Sequence, residues 1–566
     1  MVKKIRVRTK QKTGNASKKG QSKDATFKKR IHKPARPMKR KVAKRKESKV
    51  VLKPDKDKTA SVKKAHDSRI AHKLKQLDLT TTLVKMWEEF RKQKCPNRAE
   101  ILQNILTIIR GRVREFAFKH DTARVLQTVM KYGNSKQRLA IYDELKDSIL
   151  ELCKCKYSKF LVKKFLIYCP QQREEIMSFF YGHVRRLIRH TEAASLLELA
   201  YNDYANAHQR EALTREFYGV ITVGDEKHYK VKRLKETITP LLNKETLKHS
   251  IIHKPLLDYL LMAGEQERAD MIEQLRERLV ELLHTKEGSR VAMQCIWHGT
   301  AKDRKVIVKS FKTFVKKIAM EEHGHYVLLA VFDCIDDTVL VKKVIISELA
   351  DNLSELAADR HGRRVLLYLL CPRNPVYFNS AMLRVLAPGD GNVHSKKSPE
   401  ARRSELHSAV SPLLVKLTAD HVSDWIRDKQ LSQFLLAVVQ HVEGDSVAPI
   451  LENVVNLLDE PFDEETHIVG DACGHSVVRK LLSIENNRVD TSSVFLADLI
   501  INRVPENELR SWATINRGAF VLVSLVASQV KDVSETIRSV LDPSVLTEQW
   551  NTDHLQGQAA LLKDLT

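Results

Sequence analysis

From residue 76 onward, apolar residues recur at spacings of three and four, in segments of roughly 10–15 residues divided by short polar breaks. That period predicts one amphipathic helix after another, each turning one face to a core. Two breaks are longer. The stretches 219–232 (GVITVGDEKHYKVK) and 388–403 (PGDGNVHSKKSPEARR) interrupt the pattern, and the Gly, Pro and Ser of the second mark a surface loop.

Within the helical blocks a five-residue phrase returns: two leading residues, two apolar ones, then a further side chain. Copies begin at Ala123, Lys159, Ala194, Lys254, Ser289, His325 and Arg363, with weaker ones at Ser432, His475 and Ala519. Counted at the second position from Arg124, the steps are 36, 35, 60, 35, 36, 38, 69, 43 and 44 residues, and the two large steps span the two long breaks. A step near 36 suits a three-helix unit, and such units bury their apolar faces by stacking into a solenoid. The pattern therefore predicts an all-α repeat array over 76–386, a surface loop at 387–404, and further repeats over 405–566.

Residues 1–75 break the pattern. They carry 29 Lys and Arg against 5 Asp and Glu, and no aromatic except Phe27. Such a segment buries too little surface to offset its ordering entropy, which predicts a disordered tail. Its clusters Lys28, Lys29, Arg30 and Lys39, Arg40, Lys41, Lys44, Arg45, Lys46 suit a nuclear-import signal and would also hold a polyanion. Residues 76–440 carry 59 cations against 45 acids, whereas 441–566 carry 9 against 20. The net charge of +27 thus points to a polyanion partner for the tail and body, and away from it for the acidic end.

Other chemistry is sparse. The eight cysteines are scattered, and Cys153 and Cys155 form a lone C-x-C, so reduced thiols are expected. His323 and His325 lack a third ligand nearby, and Gly389-Asp390-Gly391 lacks the rest of a phosphate-cradling loop. No paired-carboxylate, nucleophile–base or metal constellation stands at a recognisable spacing, so neither catalysis, a cofactor nor a metal is expected. No apolar run reaches the ~18 residues that span a bilayer. Cations interrupt the N-terminus where a signal peptide would carry its apolar core. A soluble intracellular monomer without a membrane partner is the expectation.

The five-residue phrases resemble the base-reading helix of Puf (Pumilio) repeats, in which two or three side chains read one nucleotide. Longer stretches agree as well: GHVRRLIRH (182–190), AYND (200–203), VAMQCIWHGTAKDRKVIVK (291–309), VLLAVFDCIDD (327–337) and GDGNVHSKK (389–397). Together they resemble the divergent Puf-A nucleolar proteins, the Pumilio-related group that includes penguin. The resemblance covers roughly residues 76–560. It implies a right-handed, L-shaped α-solenoid of about eleven Puf repeats. It also implies a nuclear and nucleolar location, a role in ribosomal RNA processing and large-subunit biogenesis, and binding of ribosomal precursor RNA or DNA with little sequence preference. Pre-ribosomal assembly proteins would be its other partners.

Base-reading Puf repeats fill the first and fifth slots of the phrase with Asn/Gln, Ser/Glu or Cys/Gln, and stack the second on bases. Here the first and fifth slots hold Ala/Gln, Lys/Lys, Ala/Glu, Lys/Asp, Ser/Met, His/Leu and Arg/Leu, so no repeat presents a full reading pair. Lys159 and Lys163, with Lys164 beside them and Arg363 in a first slot, offer charge for phosphates and no fixed fork for a base. Of the second slots, Arg124, Phe160, Arg290, Tyr326 and Arg364 suit stacking, and the arginines also suit backbone contact, whereas Ser195 and Pro255 suit neither.

Cations are also sorted by helix face. Arg185, Arg186 and Arg189 fall opposite Val184, Leu187 and Ile188. Over 303–319, Lys305, Lys309, Lys312 and Lys316 follow i, i+4, i+7, i+11, which predicts a stripe along one helix opposite Val308, Phe311, Val315 and Ile318. A solvated helix normally interleaves acids to gain ion pairs, and this stripe contains none. The expected function is binding of RNA phosphates with little base preference. The alternatives are a sequence-specific mRNA regulator, which needs intact reading slots, and a protein-binding helical-repeat adaptor, which suits the acidic end.

Overall fold

The computed structural model describes residues 74, 76–92, 96–219, 227–242, 245–488, 494–543, 546 and 555–566. The targeting clusters between Lys28 and Lys46 lie outside the described residues. Among the described residues every regular element is helical, and those from residue 76 belong to one compact unit.

Ten helices carry the ten phrases: α1 (His120–Tyr132), α2 (Lys159–Tyr168), α3 (Thr191–Leu199), α4 (Ser250–Met262), α5 (Lys286–His298), α6 (His325–Cys334), α7 (Arg360–Leu370), α8 (Leu431–His441), α9 (Gly474–Asn486) and α10 (Asn516–Val526). Apart from the α3–α4 pair, each packs on the next along the chain, including α7 on α8 across the 69-residue step. Between α3 and α4 the link is polar: the Glu198 carboxylate accepts from the Ser250 amide at 2.8 Å and from its hydroxyl at 2.5 Å. The result is the helical-repeat solenoid that the spacing predicts.

The apolar period decides which face is inside. In α2, Leu161, Val162, Phe165 and Leu166 are buried, and each such side chain stabilises the stack by roughly 1.5–3 kcal/mol. Caps start the helices on either side. Asn134 with Gln137, Asn206 with Gln209, and Thr300 with Asp303 form reciprocal capping boxes that satisfy otherwise orphaned amides.

The turn into each phrase helix is tight. Thr122 Oγ1 donates to the Phe116 carbonyl at 2.6 Å, His253 Nε2 to Leu247 at 2.9 Å, and Ser289 Oγ to Leu283 at 3.0 Å. Each reaches a carbonyl six residues back. At Gly288 the approach is closest, because a Cβ there would lie 2.0 Å from the Leu282 carbonyl oxygen.

A helix begins inside each of the two long breaks. The helix Lys227–Leu242 begins inside the first, whose residues 220–226 lie outside the described ones. The second is docked on the array and gives way at Pro399 to the 22-residue helix Pro399–Asp420. Arg304, only 3% exposed, anchors it. All five of its N–H donors are engaged: with the carbonyls of Ile296, Trp297 and Cys334, with Asn392 Oδ1 at 2.9 Å and with Ser395 Oγ at 3.0 Å. Gly389 lies under the Trp297 indole, where a Cβ would meet Nε1 at 2.3 Å.

Candidate nucleic-acid interface

The first slots of the seven strong phrases are unavailable for reading. Ala123 and Ala194 are buried. Ser289 and Arg363 donate back to carbonyls of the preceding turn, and His325 Nδ1 donates to the Glu321 carbonyl at 3.0 Å. Lys254 bonds Asp258, the fifth slot of its own phrase, at 2.6 Å, and Asp258 also takes the Tyr218 hydroxyl at 2.5 Å. Met293, Leu329 and Leu367 fill their fifth slots as core residues. Glu198 is held by Ser250 and Asn202. Among these fifth slots only Lys163 is exposed.

Several of the expected contact residues are engaged within the fold. Lys159 lies 2.7 Å from the Glu192 carboxylate of the next repeat, so its charge is compensated. The Arg363 guanidinium bonds Ala357, Ala358 and the Gln430 side chain, joining α7 to the turn before it and to the segment leading into α8. The lysine stripe is not one helix. The chain breaks between Ala301–Ser310 and Val315–Met320, with Thr313 at φ 72°, and Lys316 pairs with Glu355 at 2.7 Å.

What remains is a set of free cations. Among the described residues, no side-chain hydrogen bond or ion pair holds Lys163, Arg185, Arg186, Arg189, Lys305, Lys309 or Lys312. Val184, Leu187 and Ile188 are buried as expected, which turns Arg186 and Arg189 to solvent and leaves Arg185 half-buried. Phe160 is 44% exposed, with Lys159 Nζ 5.3 Å from its ring centroid, so it does not fill a packing gap. Lys164 lies over Tyr168 at 5.2 Å and Arg124 over Trp87 at 5.6 Å.

The densest group lines a cavity of about 620 Å³ between α5, α6 and α7. Lys286 and Arg290 come from α5, Tyr326 from α6, and Arg360 and Arg364 from α7. Among the described residues none of the four cations has a side-chain partner. Burial lowers the pKa of Arg290 and Arg364, and the neighbouring Arg360 lowers that of Arg364 further. Sequence reading named Arg290, Tyr326 and Arg364 but missed Lys286 and Arg360. The available signal was like charge at i and i+4, twice, where a solvated helix gains by alternating sign.

Comparison with known proteins bears on the whole array. Human Pumilio homolog 3 is 38% identical over 516 residues, which cover 86% of this chain and 80% of the human protein. The zebrafish (Danio rerio) Pumilio homolog 3 is 36% identical over 507 residues, 85% of this chain and 80% of its own. The chain belongs to the Pumilio homolog 3 (Puf-A) family. A crystal structure of human Puf-A in complex with DNA superposes with a TM-score of 0.79, covering 86% of this chain and 99% of that one. Residues 358–493 match the CPL (NUC119) domain, which in this Puf-A protein contains α7, α8 and α9. The Puf-A array is thus a Puf-repeat solenoid whose first slots are apolar or engaged within the fold.

Proposed function

We propose that this Puf-A protein binds RNA through its phosphates with little base preference, acting in ribosomal RNA processing and large-subunit biogenesis in the nucleolus. The observation that carries the reading is the contrast within the phrase helices. Apart from the exposed Lys163, groups in the reading slots are buried or engaged within the fold, while among the described residues neighbouring cations lack side-chain partners. Free cations displace condensed counterions from a phosphate chain, and that term is independent of sequence. The human relative crystallised with DNA supports a polyanion ligand. The basic tail adds charge and a nuclear address, and the acidic 441–566 segment faces pre-ribosomal assembly proteins. No catalytic step is assigned.

The test is binding of the full chain to several RNAs of unrelated sequence across a salt series. Comparable affinities that fall steeply with salt are expected. A strong preference for one short sequence would overturn the reading in favour of a base reader, and absence of binding to any of them would favour a protein adaptor. Reversing Arg185, Arg186 and Arg189 to Glu should weaken every RNA alike.

A further inference from the structure

The cavity between α5, α6 and α7 differs from the rest of the basic surface in three ways. The first is charge density. Lys286, Arg290, Arg360 and Arg364 converge there, against Glu322 as the one carboxylate in its lining. An internal phosphodiester carries a single negative charge, whereas a phosphate monoester carries about −1.5 to −2 near neutrality. The second is direction. The N-terminal residues of three helices of ten or more residues border the cavity, and their dipoles favour an anion, although Thr285 caps the start of α5 and the Asp359 carboxylate that of α7. The third is enclosure, since the four cations lie around a recess rather than along an open track.

The recess also has features suited to the nucleoside beside such a phosphate. Tyr326 is half-buried on its wall and presents a ring for a base. His325, 1% exposed, also lines it. Its Nδ1 donates to Glu321, so in the neutral ring Nε2 is an acceptor, and that atom is buried without a partner. The His361 ring lies tilted beside His325, with ring centroids 4.8 Å apart, and its Nδ1 is likewise buried and, among the described residues, unpartnered.

We propose that this cavity binds the terminal phosphate monoester of a nucleic-acid strand, so that the protein grips strand ends in addition to backbone. The inference rests on the nucleic-acid reading above and names one site within it. Arg290 and Arg364 hold the phosphate oxygens, Lys286 and Arg360 close over them, and Tyr326 stacks on the terminal base.

The experiment compares one short strand in three forms with the full chain: 5′-phosphate, 3′-phosphate, and hydroxyl at both ends. At least one phosphorylated form is expected to bind about tenfold tighter than the hydroxyl form, as charge-assisted contacts in a recess allow. Which one does so identifies the end. The Arg290→Gln/Arg364→Gln variant should bring that ratio to one. Lys309→Gln/Lys312→Gln, which removes as much charge elsewhere, should lower all affinities and keep the ratio. Equal binding of the three forms, or a ratio equally lost in both variants, overturns the end site while leaving backbone binding intact. No binding of any form overturns both.

Discussion

Lys159 Nζ sits 2.7 Å from the Glu192 carboxylate, a contact between consecutive repeats at a position where a base reader would face the nucleotide. The Lys159 and Glu192 side chains are 20% and 28% exposed, so the pair is partly shielded and locks α2 to the start of α3. Lys163, one turn along α2, has no such partner among the described residues and is exposed. The two lysines of one phrase therefore do different jobs.

Their variants should separate accordingly. Lys159→Gln is expected to cost about 0–1 kcal/mol of stability and to leave the salt dependence of RNA binding unchanged. Lys163→Gln should leave stability alone and reduce the slope of log affinity against log salt by roughly 0.7 for a single strand. Identical slopes for both variants would remove the distinction.

Arg304 predicts how the 390–398 segment is retained. Lysine keeps the charge but has three donors in place of five, and cannot span carbonyls of α5 and α6 together with Asn392 and Ser395. Arg304→Lys should cost roughly 1–3 kcal/mol, from buried acceptors left without donors. Limited proteolysis should then cut first between Gly391 and Ser398.

Gly288→Ala tests the tight turn. Its Cβ would fall 2.0 Å from a backbone oxygen, which no side-chain rotation relieves. The expected loss is roughly 1–3 kcal/mol, read as a lower denaturation midpoint. Gly111, at φ 71° with open space around its Cβ position, is the contrasting case, where only backbone conformation resists substitution.

Acid should weaken the array. Burial pushes His253 down to about 3 and His325 down to about 4, from an ordinary value of 6.5, and His284 and His249 lower His253 further. Both rings are neutral when folded, so below 6.5 the unfolded chain binds more protons. Stability is therefore full above about 6.5 and is lost as pH falls toward the folded values. Thermal unfolding at about pH 7.5 and about pH 5 should give a lower midpoint in acid, with the difference reduced in His253→Gln. Equal midpoints would show that the two rings do not titrate on unfolding.

Much of the architecture is legible along the chain. A step near 36 residues locates α1 to α3 and again α4 to α7, and burial of Val184, Leu187 and Ile188 follows their helical spacing. The candidate site is only partly legible. A cation's availability depends on what the next repeat places opposite it, as Glu192 does for Lys159 and Gln430 does for Arg363. The lysine stripe failed for a local reason: Thr313, at φ 72°, breaks the helix where the apolar period continues unbroken.

By itself, the sequence determined the helical period, the repeat length, the empty reading slots and the sign of the charge, because each depends on residue type and spacing alone. Tertiary structure decided which charges remain free and that Lys286, Arg290, Arg360 and Arg364 share one recess. Those two cation pairs are about seventy residues apart in sequence, and only the stacking of α5, α6 and α7 brings their fields together.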